Sequence, residues 1–237
     1  MMNHLFRGLA FSAGLALTGS ALAGPVNDFE SAMRAAYADY RSALFLTNAN
    51  KGEQALQAID GFSGQWSALA EGSGEAPPQY ADDTGFRRTF DAVAETAAKA
   101  RVEVESGALT KAHETLEGIR EEIGQLHERN NIVGFSDRMN AYHAMMEQIL
   151  GTNYAGPGAA GMAELREDGA VLLYLADVIA AHPAPEASNP AYAPLLKGMM
   201  TSVMALQEAA RAGDDAAAKQ AVNALKPAYS KFFLEFG

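Results

Sequence analysis

Apolar residues recur every three or four positions along most of this chain, and sustained alternation of apolar with polar residues is missing. The first period belongs to helices that bury one face, and the second would mark strands. The pattern is clearest where Leu109, Ala112, Leu116, Ile119, Ile123 and Leu126 step by threes and fours. Eight helices are predicted, near Asn27–Asn48, Gly52–Leu69, Asp82–Glu105, Leu109–Glu128, Ser136–Leu150, Gly161–Ala181, Tyr192–Ala212 and Asp214–Phe233. Turn chemistry separates them: Gly72-Ser73-Gly74 with Pro77-Pro78, Gly156-Pro157-Gly158, and Pro183, Pro185 and Pro190. Ser136 is placed to cap the fifth helix, with Asp137 in its first turn favouring the helix dipole.

The pattern repeats. Shifted by 106 positions, Phe29 and Met33 fall on Phe135 and Met139, and Gly107 falls on Gly213. Behind those glycines Ala112, Leu116, Ile119, Ile123 and Leu126 fall on Ala218, Val222, Leu225, Tyr229 and Phe232, so the apolar ladder is kept step for step. A repeat this long is a domain and not a solenoid unit. The fold class expected is all-α: two tandem antiparallel four-helix bundles, at 24–131 and 132–237, joined by a short link from Asn130 to Phe135.

Residues 1–23 stand apart from this pattern. A cationic start ending at Arg7, an apolar stretch from Gly8 to Leu17 and the small-x-small triplet Ala21-Leu22-Ala23 read as a cleavable secretory signal. The apolar stretch is too short to span a membrane, so the mature chain is expected in a periplasm without membrane insertion. Cysteine is absent, which excludes disulfides, thiolate metal sites and haem attachment through C-x-x-C-H. Lys and Arg number 18 against 29 Asp and Glu, a balance that argues against nucleic acid as a partner.

A bundle brings the start of its first helix beside the finish of its fourth. In the first copy those places hold Met33 and His127, a thioether and an imidazole able to face one another across a flat metallocofactor. Phe86 and Phe90, four residues apart near the start of the third helix, are placed to wall such a pocket.

These residues carry a family likeness. From Asn27 to Arg129 the chain resembles cytochrome b562, a periplasmic four-helix bundle that holds haem b without a covalent bond. The DFESAM segment is similar to the family's opening, with Met33 at the axial methionine position. FRRTFD is similar to the motif whose two Phe, here Phe86 and Phe90, pack on the haem, and His127 matches the axial histidine. The resemblance implies a haem carrier, for electron transfer or for holding haem, with a periplasmic redox or transport partner. The second copy resembles the same fold more distantly. It keeps Met139 but has Phe233 opposite His127, and Tyr192 and Leu196 opposite the two Phe, so one haem per chain is expected.

The remaining candidates suit a small ion. His113, Arg120 and His127 are spaced by seven and share a stripe, Glu117 follows His113 by four, and Met139, His143 and Met146 recur at helical spacing. Imidazole and thioether without thiolate suit copper, whereas carboxylate with imidazole suits iron or zinc. On this alternative His127 and Met33 approach Met139 and His143 across the link, with His113 and Glu117 nearby. A third reading is a cofactor-free bundle that binds a protein. No hydrolase or phosphate-binding motif is present, and an enzyme is not expected.

Overall fold

The computed structural model describes residues 24–72, 76–154 and 159–237. The predicted leader at 1–23, and parts of the turns at Ser73-Gly74 and Gly156-Pro157-Gly158, lie outside the described residues. Among the described residues the chain is all-α, with eight α-helices and no strand. They are α1 (Pro25–Asn48), α2 (Gly52–Gly72), α3 (Phe86–Glu105), α4 (Leu109–Arg129), α5 (Phe135–Gly151), α6 (Ala159–Ala181), α7 (Tyr192–Ala212) and α8 (Asp215–Phe236). A short 3-10 turn, Pro78–Tyr80, precedes α3.

Helix contacts close into two sets of four. α1 meets α2, α2 meets α3, α3 meets α4 and α4 returns to α1; α5 to α8 repeat the same circuit. α1 also packs on α8, and buried side chains from all eight helices form one continuous apolar core. Side chains of α4 also reach α5, through Arg120 to His143 and His127 to Asp137.

Both apolar ladders face inward. Ala112, Leu116, Ile119, Ile123 and Leu126 are buried, as are Ala218, Leu225, Tyr229 and Phe232; Val222 is only half-buried. Two helix starts differ from expectation. α3 begins at Phe86 and not at Asp82, because the Asp83 carboxylate accepts from the Gly85 N–H at 2.8 Å and holds the preceding residues in a turn. α5 begins one residue before Ser136: Gly134 is its cap, and its N–H donates to the Asp137 carboxylate at 2.6 Å.

The repeated glycine has a conformational cause. Gly107 and Gly213, just beyond α3 and α7, have φ of 80° and 67°. This left-handed conformation closes a helix end and disfavours a Cβ. A Cβ would meet no atom within 4 Å at either place, so the backbone alone sets the cost of adding one. Gly213→Ala should lower the free energy of unfolding by about 1–2 kcal/mol in urea denaturation. Gly198→Ala, on an exposed turn of α7, should be neutral or stabilising.

Polar contacts from α1 tie the two sets together. Arg34 donates to the Glu186 carboxylate at 2.7 and 2.5 Å and to the Phe236 carbonyl at 3.0 Å. Arg41, itself buried, donates to the carbonyls of Leu234, Glu235 and Gly237 at the end of α8. Burial lowers its pKa to about 10, with the nearby Arg34 acting in the same direction.

Candidate metal centre

The stripe at spacing seven on α4 runs along its boundary with α1 and α5. Its three members each find a partner across a helix boundary: His113 reaches the Leu44 carbonyl of α1 at 3.1 Å, Arg120 reaches His143 of α5, and His127 reaches Asp137 of α5.

His127 carries the most telling geometry. Its Nδ1 lies 2.8 and 3.0 Å from the two oxygens of the Asp137 carboxylate, which also receives the Gly134 N–H. A carboxylate only accepts, so Nδ1 carries a proton and donates it to Asp137. The imidazole is buried, and Nε2 has no hydrogen-bond partner. A buried polar atom left without a partner costs about 1–3 kcal/mol. A carboxylate holding the far nitrogen of an imidazole is also how metal-ligating histidines are oriented.

Met33 shares a cavity of about 320 Å³ with His127. α1 supplies one wall and α4 another; Ile132, Phe135 and Pro185 close the third. Glu30 is the carboxylate on the wall, and its Oε1 already accepts from Gln79 at 2.8 Å and Tyr80 at 3.0 Å. Arg34 also reaches the cavity, with its guanidinium 5.6 Å from the centre of the Phe135 ring and its charge met by Glu186.

Phe86 and Phe90 are elsewhere. They pack against one another at 4.8 Å, and Phe90 stacks on Trp66 at 4.3 Å. Phe29 and Tyr80 complete this aromatic cluster inside the first set of helices. Neither Phe lines the cavity shared by Met33 and His127. For haem, then, the two axial donors lie on one cavity, but the expected ring walls are engaged in the core and the α5 side of the cavity is closed by Phe135.

The junction ligands expected alongside Met33 and His127 divide between cavities. Met139 is fully buried; His143, His113 and Glu117 line one cavity, and His143 and Glu117 also line another with His127 and Asp137 but without Met33. Arg120 donates to His143 Nδ1 at 2.5 Å, so that nitrogen is committed to a cation and is unsuited to a metal. Burial and the adjacent Arg120 push the His143 pKa down to about 3, leaving the imidazole neutral. Among the described residues, no three His, Cys, Asp or Glu side chains converge as a metal-binding group. The sequence reading placed Arg120 on the stripe without giving it a role, and Asp137 entered only as a helix-dipole residue. No spacing signal links Asp137 to His127, because the chain reverses between them.

Compared with known proteins, the chain matches no family model, no curated protein and no solved structure.

Proposed function

We propose that this chain is an exported metal-holding protein whose His127 and Met33 supply an imidazole nitrogen and a thioether sulfur to one soft metal ion, copper(I) by preference. The observation that carries the reading is the buried, unpartnered Nε2 of His127, fixed by Asp137 and sharing a cavity with Met33. A neutral nitrogen and sulfur pair favours copper(I) over harder ions, and Glu30, already receiving two donors, offers little to iron. A carrier of this kind implies a partner in the same compartment that delivers or takes the ion.

A second reading draws on the cytochrome b562 resemblance: haem b between the same two side chains. It is favoured by the convergence of Met33 from α1 and His127 from α4 on one cavity. It requires Phe135 and Pro185 to part from that cavity. When bound, the haem would supply one-electron chemistry, and these residues would hold its iron.

The test is a chelator competition with copper(I) on the mature chain, run beside a hemin titration. One copper(I) per chain is expected. Binding should vanish in His127→Ala, weaken about 10- to 100-fold in Asp137→Asn, and persist in His143→Ala. Equal affinity in wild type and a His127→Ala, Met33→Leu double variant would sink the copper site. A specific Soret shift lost in His127→Ala would select haem instead.

A further inference from the structure

A second cavity of about 310 Å³ lies where α1, α4, α5 and α8 meet, and it shares no residue with the cavity of Met33 and His127. Arg120 and Tyr229 both line it, at 8 % and 3 % exposure. The Arg120 Nε–H and the Tyr229 hydroxyl have no hydrogen-bond partner. Two buried polar groups without partners, on side chains that line one cavity from opposite helix sets, need an explanation.

The carboxylates and the imidazole nearby are already engaged. Glu117 receives Arg120 at 3.1 Å, Glu147 receives Lys226 at 3.0 Å, and His143 Nδ1 receives Arg120. Arg120 is held in place besides by the Phe233 ring, 5.4 Å below its guanidinium. Tyr229 is held by stacking on Tyr142 at 5.6 Å and on Phe233 at 5.4 Å. Both groups are thus fixed by packing.

The remaining wall is apolar, with Leu44, Phe45 and Met146 among its members. The charged groups around the cavity balance: Arg120 and Lys226 against Glu117 and Glu147. A dianion such as phosphate would meet the two glutamates, whereas a single negative charge placed on Arg120 would not be strongly opposed. A neutral ligand would leave Arg120 Nε with a weaker acceptor than a charged oxygen.

We propose that this cavity is a binding site for a small amphipathic monocarboxylate. The carboxylate takes the Arg120 Nε–H and the Tyr229 hydroxyl, and its hydrocarbon part lies against Phe45, Leu44 and Met146. The site is independent of the metal centre, and each half of the repeat contributes one of its two donors. The repeat itself sets up the asymmetry: Phe233, which grips Arg120, stands where the first copy has His127.

The test uses the mature chain and calorimetric titration with acetate, butanoate, hexanoate and octanoate, against hexanol, hexylamine and inorganic phosphate. One carboxylate per chain should bind, tightening from acetate to hexanoate, with hexanol at least about tenfold weaker and phosphate without effect. Tyr229→Phe keeps the stacked ring and removes only the hydroxyl. It should weaken hexanoate about tenfold, as loss of one charge-assisted hydrogen bond does, while leaving copper(I) affinity unchanged. Arg120→Gln should abolish the preference for hexanoate over hexanol. The proposal fails if no member of the acid series binds, if hexanol matches hexanoate, or if Tyr229→Phe binds hexanoate as wild type does.

Discussion

Trp66→Ala should cost about 3–5 kcal/mol of unfolding free energy, the range for removing a large aromatic from a packed core. Trp66 is 2 % exposed, stacks on Phe90 at 4.3 Å with the rings 16° apart, and packs against Phe62 at 5.6 Å. Its indole N–H donates to the Phe90 carbonyl at 3.0 Å, so truncation also removes that bond. The cavity left behind would open beside Phe90, Phe86 and Phe29, whose contacts all run through the same cluster. Urea denaturation followed by far-ultraviolet circular dichroism measures the loss. Trp66→Phe, which keeps a ring but drops the N–H, should lose much less. A loss below about 1 kcal/mol for Trp66→Ala would mean that this cluster is loosely packed and free to rearrange around a bound cofactor. That would revive the expectation that Phe86 and Phe90 wall a haem.

Acidification from pH 6.5 towards pH 3 should remove several kcal/mol of stability through His143. Its pKa falls from 6.5 to about 3, first because it is buried and then because Arg120, Lys226 and His113 are close. A folded imidazole that resists protonation binds fewer protons than the unfolded chain over that window. Stability therefore drops as pH falls through the window and is fully present above it. The slope approaches about 1.4 kcal/mol per pH unit at its steepest. Carboxylates such as Asp83 and Glu186, whose pKa values are lowered in the fold, add their own loss only near and below the usual carboxylate range. The slope between pH 6 and pH 5 is thus the readout for His143. His143→Gln retains an acceptor for Arg120 and should flatten it. An unchanged slope in that variant would remove His143 as the cause.

Much of the fold was legible because helical period and glycine placement are local properties. The ladder from Leu109 to Leu126 and the paired Gly107 and Gly213 announced both the elements and their repetition, and the left-handed φ at the two glycines gives that repetition a physical reason. Helix starts were less legible at Asp82 and Ser136, where a side chain one position further on captured the capping amide. The candidate centre was half visible. Met33 and His127 do share a cavity, but aromatics spaced by four serve a core and a cofactor wall equally well, and Phe86 and Phe90 serve the core. Asp137 reads in the sequence only as a helix-dipole residue and Tyr229 only as a rung of the apolar ladder, because their other contacts depend on how the two helix sets meet, a relation that no periodicity within one helix records.

The hold of α1 on α8 has a kinetic meaning. Arg41 lies 193 to 196 residues before the carbonyls it serves, and Arg34 lies 202 before the Phe236 carbonyl. Contacts this distant close late, because the loop between them must first lose its freedom. Until the last turn of α8 is present, burying Arg41 would strand a cation without acceptors, so the two helix sets have no favourable way to dock. A chain emerging amino end first would carry its first four helices as an open-faced intermediate until the last turn of α8 arrived to receive Arg41.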